Sequence, residues 1–236
     1  MKRTFILLII ALALLPCLAQ AKLVYGGLDK RYVALTFDDG PSLGFTEKVL
    51  DIMARENVKG TFFLIGHKVM AQPELMARLA REGHELGNHT FTHSKVTWLG
   101  DDKLAYELKQ TSQLISEMTG KSVKLFRPPH GTLNAAKSRL IQQQGYDIVL
   151  WTVNADDFYR AGRGMRSHSS IANRVLGQVK GGDVVLMHDD SQQLVDALPL
   201  IIAGLKQKGY SLVTVSELRR KSSQYMAEQK KEPAKI

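Results

Sequence analysis

The sequence predicts an α/β fold, a parallel sheet with helices packed outside it, and three observations carry that prediction. Short apolar, β-branched runs alternate regularly with longer amphipathic stretches, the order that successive βα units impose. Seven such runs occur, and the one at residues 147–153 is apolar through its centre, as a strand covered on both faces must be. Five of the runs end in clusters of Asp, Asn, His and Arg. In α/β folds the carboxyl ends of the strands share one pole, so these five clusters face one another there. A chain of 236 residues, 44% of them hydrophobic, suits a single domain with a sizeable core.

The first strand runs Val33-Ala34-Leu35-Thr36-Phe37 into Asp38-Asp39, and Gly40-Pro41 then turns the chain. Val49, Leu50 and Met53 fall at helical spacing and place a helix over 45–56, with a second strand at 59–65. Leu75, Leu79 and Ala80 mark a helix over 73–82 that Gly83 stops. A short strand at 84–87 opens onto Asn88-His89-Thr90-Phe91-Thr92-His93-Ser94, and a long amphipathic helix covers 101–119. The strand at 123–126 ends in Arg127-Pro128-Pro129-His130-Gly131, whose prolines forbid helix continuation. Asn134 caps a helix over 134–144. The strand at 147–153 then delivers Asn154-Ala155-Asp156-Asp157-Phe158. Residues 159–169 are Gly- and Arg-rich and read as a surface loop, with Arg160, Arg163 and Arg166 either solvated or turned to an acidic glycan. A helix at 171–179, a strand at 183–187 ending in His188-Asp189-Asp190, a helix at 195–208, a strand at 212–215 and a charged helix from 216 to about 229 complete the chain.

The termini read differently. Lys2 and Arg3 precede an apolar run over 5–15, and Ala19-Gln20-Ala21 closes it with small residues, the pattern of a secretory signal peptide. The run is shorter than the roughly 20 residues that span a bilayer, so no stable membrane insertion is expected after cleavage. This divides the chain into a signal peptide over 1–21, a domain over 22–218 and a basic tail over 219–236, and places the mature protein in the periplasm or outside the cell. Cleavage removes Cys17, the only cysteine, which excludes a disulfide framework and a thiol nucleophile. It also takes the formal net charge from +9 to +7, of which +4 sits in the last 18 residues. No basic stripe interleaved with aromatics occurs, so no nucleic-acid partner is expected.

Within the clusters, two adjacent carboxylates repel, so a fold that keeps Asp38 and Asp39 ionised supplies a cation; alternatively both merely cap the turn. His89 and His93 are four apart, which on one helical turn puts both imidazoles on one face, and with Asp39 they make a two-His, one-carboxylate metal set that leaves positions open. Zn2+ suits such ligands best, while Co2+, Ni2+ or Fe2+ would also fit. The bland alternative is a pair of surface histidines. With a metal present, Asp38 is free to act as base and His188, from the opposite side of the pole, as general acid. Arg127 can hold Asp38 through a bidentate pair and Asp157 can orient His188, or the two can simply pair with each other. His67, His84 and His168 have no such setting and read as structural or exposed.

Five ordered stretches, Thr36 to Ser42, His89 to Ser94, Arg127 to Gly131, Trp151 to Phe158 and Leu186 to Asp189, resemble the motifs of the polysaccharide deacetylases with a NodB homology domain, carbohydrate esterase family 4. The resemblance covers about residues 33–217. It implies a distorted, incomplete (β/α)7 barrel and removal of N-acetyl groups from N-acetylglucosamine polymers by metal-activated water. Carried over by position, it makes Asp38 the base, His188 the acid, and Asp39, His89 and His93 the metal ligands. It also makes Arg127 the partner of Asp38, Asp157 the second acid of the fourth motif, and Leu186 and Trp151 parts of the substrate pocket, with the backbone N–H of His130 as an oxyanion donor. Two departures are visible: His130 stands where the family has Tyr, and Asn154 and Phe158 replace an Asp and a Trp. The reading is therefore an exported N-deacetylase of an aminoglycan, peptidoglycan first and chitin oligosaccharide second. Its rivals are an esterase for O-acetylated xylan-type glycans and a glycan-binding protein with a degenerate site.

Overall fold

The structure, a computed structural model, describes residues 23–24, 26–159, 161–162 and 164–229. The expected signal peptide with Cys17, Arg160 and Arg163, and the last seven residues of the basic tail lie outside the described residues. Nine strands form one sheet: β1 (Leu23–Val24), β2 (Tyr32–Gly40), β3 (Thr61–Leu64), β4 (Glu85–Asn88), β5 (Leu125–Phe126), β6 (Asp147–Val149), β7 (Val153–Asn154), β8 (Val184–His188) and β9 (Ser211–Val213). Their order is β1-β6-β5-β4-β3-β2-β8-β7, with β9 also on β2, and every pairing is parallel. β2 is the centre: from Val33 to Asp38 it is buried throughout, between neighbours on both sides.

The helices are α1 (Thr46–Arg55), α2 (Gly66–Ala71), α3 (Pro73–Arg81), α4 (Asp101–Thr119), α5 (Ala135–Gln143), α6 (His168–Gln178), α7 (Gln192–Gln207) and α8 (Val215–Gln229). Their apolar stripes close the main core against the sheet, where Val49 and Met53 of α1, Leu79 of α3, Val175 of α6 and Ile201 of α7 are buried. Asn134 accepts the Lys137 N–H as the cap of α5 (2.9 Å), as its position implies. α2 escapes periodicity because six residues carry too little of it.

The run at 147–153, expected as one strand, is two. Its start, β6, pairs with β1 and β5 near one edge of the sheet, and its end leads into β7, which pairs with β8 at the other edge. Between them Leu150 N donates to Val24 O (2.8 Å) and Thr152 N to Val184 O (3.0 Å). One extended segment thus bridges two edges that do not pair with each other, which is why the barrel is curled but incomplete.

Candidate active site

The carboxyl ends of β2, β4, β5, β7 and β8 meet around a cleft of about 390 Å³ lined by Asp38, Asp39, His89, His93, His130, Trp151, Leu186 and His188, among others. The backbone there is contorted. Asp39, Thr90, His93, His130 and Asp156 all adopt positive φ of 59–70°, and among the described non-glycine residues only Asn57 does so elsewhere. Such strain persists where surrounding contacts over-determine it, and it gathers at functional sites. Gly40 is required for another reason, since a Cβ there would lie 2.6 Å from the buried Asp189 Oδ2.

Asp38 and Asp39 are neighbours with opposite partners. Asp38 Oδ1 accepts from Arg127 Nη1 at 2.7 Å, in a pair wholly inside the protein. Arg127 is the largest fully buried side chain; Nη1 also donates to Thr36 Oγ1, Nε and Nη2 donate to the carbonyls of Val149 and Leu150, and the guanidinium stacks 4.2 Å from the Phe63 ring. The alternative of an Arg127–Asp157 pair is therefore wrong: Arg127 holds Asp38, and Asp157 holds His188.

Asp39 turns the other way. Its Oδ1 lies 3.0 Å from His93 Nε2 and 3.4 Å from His89 Nε2, yet this buried oxygen takes part in no hydrogen bond. His89 Nδ1 meets the Arg127 carbonyl at 2.7 Å. A carbonyl only accepts, so Nδ1 carries the proton and Nε2 of the neutral ring presents a lone pair. The three ligand atoms lie within 4.8 Å of one another, a convergence that a divalent cation fits when both rings present their lone pairs. Burial pushes the Asp39 carboxyl up, but when the two rings are protonated instead of holding a cation, their hydrogen bonds and positive charge outweigh this and hold it well below the usual carboxylate range.

The two imidazoles of His89 and His93 do come together, 5.0 Å between ring centres, but not by the expected helical spacing. They sit on a loop, not a helix, brought together by the positive φ of Thr90 and His93. The loop is tied by Asn88 Oδ1 accepting from Thr90 N, Thr90 Oγ1 accepting from His93 N, and above all by the fully buried Glu107 of α4. Glu107 accepts from the Phe91 and Thr92 N–H groups and from Thr92 Oγ1 (2.9–3.3 Å). The sequence reading missed it, though a signal existed: an acid on the buried stripe Leu104, Leu108, Thr111, Ile115 of an amphipathic helix.

His188 does not come from the opposite side of the pole. β8 pairs directly with β2, and His188 is the register partner of Asp38. Its Nδ1 lies 2.8 Å from Asp157 Oδ1, and its backbone N–H donates to Asp157 Oδ2 (2.7 Å). Burial alone would lower the His188 pKa; the hydrogen bond and charge of Asp157, with Asp38 and Asp39 nearby, override it and hold the imidazolium up to about 10. His130 packs 4.8 Å from His93, and burial followed by the charges of His93 and Lys95 lowers its pKa. Arg166 is exposed, its side chain 40% open to solvent, and bonds the buried Asp156 (2.7 Å). His84 is buried edge-on against the Phe62 ring and His67 and His168 are exposed, as read from their settings.

A family model described as polysaccharide deacetylase matches residues 25–149, more than half of the chain. The chain belongs to the polysaccharide deacetylase family. That membership makes it a hydrolase, and the curled parallel sheet is the fold of its relatives. It is 39% identical over 195 residues to a peptidoglycan-N-acetylglucosamine deacetylase of Bacillus cereus, covering 81% of this chain and 90% of that one. It is 34% identical to the peptidoglycan-N-acetylmuramic acid deacetylase PdaC of Bacillus subtilis, over 83% of this chain and 40% of that longer protein. A crystal structure of the Bc1960 peptidoglycan N-acetylglucosamine deacetylase superposes with a TM-score of 0.79 at 35% identity, covering 84% of this chain and 92% of that one. Among the described residues no helix of this polysaccharide deacetylase is long and apolar enough to cross a membrane.

Proposed function

We propose that the protein is an exported, metal-dependent N-deacetylase that hydrolyses acetamide groups on an N-acetylglucosamine polymer, peptidoglycan first and chitin oligosaccharides second. The observation that carries the reading is the division of labour between two adjacent acids: Asp38 pairs with a buried guanidinium, while Asp39 converges with two imidazoles. A divalent ion, zinc first, held by Asp39, His89 and His93 would polarise the acetamide carbonyl and bring the pKa of the attacking water toward about 7.

Asp38, aimed by Arg127, takes the proton of that water as its oxygen adds to the carbonyl carbon. The backbone N–H of His130 offers a prepared donor to the oxygen on which negative charge develops. His188 is protonated at neutral pH, and it gives that proton to the nitrogen as the C–N bond breaks, leaving acetate and a free amine. Asp157 holds the ring in place from behind. Leu186 and Trp151 wall the space where the acetyl methyl sits. The names of the relatives support peptidoglycan as the polymer, and a polymer that lies outside the cytoplasm is consistent with the expected export signal.

The test is acetate release by purified mature protein, stripped with chelator and then restored with zinc, on N-acetylglucosamine oligomers, peptidoglycan and O-acetylated xylan. Zinc-dependent release from an N-acetylated substrate is expected. Release from the ester alone would replace the reading with the esterase. Absence of both release and bound metal would leave a glycan-binding protein.

A further inference from the structure

Trp98 is the most exposed large hydrophobic side chain among the described residues, 77% open to solvent. Its backbone is nevertheless held. It ends a 3-10 turn, Val96–Trp98, in which Val96 is fully buried beside Leu104, Leu108 and Phe126. Trp98 N donates to Lys95 O (2.9 Å), and the next carbonyl, Leu99 O, accepts from Lys137 Nζ, which also pairs with Asp101. An indole has a large apolar area to bury, so one fixed in the open is a platform awaiting a contact. Lys95 Nζ stands 4.5 Å from the centre of that ring, and among the described residues no carboxylate pairs with it.

The position of this pair is equally specific. Lys95 follows His93 by two residues, and its charge reaches His130, whose ring walls the cleft 4.8 Å from His93. Lys95 thus leaves the cleft two residues beyond His93 and its ammonium lies against the Trp98 ring, so a polymer seated in the cleft and extending past His93 meets a cation and an indole face. We propose that Lys95 and Trp98 form an outer subsite for an acidic sugar unit of the substrate strand, its pyranose face on the indole and its carboxylate at the ammonium. Apolar C–H faces of a pyranose match an aromatic ring, and a carboxylate matches a cation that the fold leaves unpaired. The inference rests on the deacetylase reading and deepens it. Peptidoglycan strands freed of their stem peptides carry a lactyl carboxylate on alternate sugars, whereas chitin is neutral, so the subsite favours such peptide-free strands over chitin.

The experiment compares acetate release from a peptide-free peptidoglycan tetrasaccharide, the N-acetylglucosamine tetramer and its dimer, using wild type, Trp98→Ala, Trp98→Phe and Lys95→Gln. Trp98→Ala is expected to cut the preference for either tetramer over the dimer about tenfold, through KM rather than kcat, and Trp98→Phe to restore part of it. Lys95→Gln is expected to cut the preference for the acidic over the neutral tetramer about tenfold and to flatten its salt dependence. An unchanged tetramer-to-dimer ratio in Trp98→Ala overturns the platform; equal losses on acidic and neutral tetramers in Lys95→Gln overturn the carboxylate contact. Should wild type release no acetate from any substrate, the deacetylase reading fails by itself. Co-sedimentation of the same variants with insoluble peptidoglycan stripped of its stem peptides then still decides the subsite, weakened binding supporting it and unaltered binding overturning it.

Discussion

Replacing Arg127 by Met tests the centre of the site. The side chain is completely buried and makes four hydrogen bonds, to Asp38 Oδ1, Thr36 Oγ1, Val149 O and Leu150 O, at 2.7–3.2 Å. Methionine keeps much of the volume against Phe63 but leaves the Asp38 carboxylate, itself only 3% exposed, without its hydrogen-bonded guanidinium. Breaking a buried pair from one side costs about 3–5 kcal/mol, and the two stranded carbonyls raise the total to about 4–6 kcal/mol. With a urea m-value of about 2 kcal/mol/M, the unfolding midpoint falls by about 2–3 M. The assay is urea unfolding followed by circular dichroism, in chelator, so that only protein groups face Asp38. The double variant Arg127→Met/Asp38→Asn removes the stranded charge as well, and about 2–3 kcal/mol should return. A single variant that loses less than about 1 kcal/mol, or a double variant whose cost is the plain sum of the singles, would refute the claim that this pair is coupled inside the barrel.

The other expectations are narrower. Asp39→Ala should lose bound zinc, whereas Asp38→Asn should keep it and lose at least about a hundredfold in turnover; metal analysis beside acetate release separates them, and an active Asp38→Asn protein removes the base. Asp157→Asn should drop the His188 pKa from about 10 toward its ordinary value of 6.5, because burial is then opposed only by the charges of Asp38 and Asp39; imidazole resonances titrated by NMR report it. Since that pKa is raised on folding, its stabilisation is complete below pH 6.5 and is lost as pH climbs to about 10 in wild type, and the variant should lack this slope. His84 behaves oppositely: burial first, with the Lys59 charge, lowers its pKa to about 4, so the unfolded chain binds its proton earlier and stability falls as pH drops from 6.5 to 4, by at most about 3 kcal/mol. A His84→Gln protein with the same acid slope would contradict this. Glu107→Gln should loosen the His89–His93 loop and weaken zinc binding by about 10- to 100-fold, measured by competition with a chelating dye.

How much was legible depended on how local the cause was. α4 was readable end to end because its apolar stripe, its acidic first turn and Gly120 beyond its last turn all lie within twenty residues. The Asn134 cap was equally local. The split of residues 147–153 was not, because both halves are apolar and only their partners, Val24 at one edge and Val184 at the other, distinguish them. Glu107 stayed hidden because its partners lie 15 and 16 residues earlier on a loop whose shape depends on two positive φ angles.

The sequence by itself determined the α/β class, the strand ends that carry chemistry and the chemical types gathered there: two acids, two imidazoles, a guanidinium and a backed histidine. Only the tertiary structure decided which acid met which partner. Asp38 and Arg127 are 89 residues apart and Asp157 and His188 are 31 apart, so no local pattern links them. The register of β2 against β8 sets Asp38 beside His188, and that of β4 against β5 sets Asn88 opposite Phe126, leaving His89 beside the Arg127 carbonyl. Parallel register is fixed by side-chain packing summed over the whole barrel, a long-range quantity that no single stretch of chain encodes.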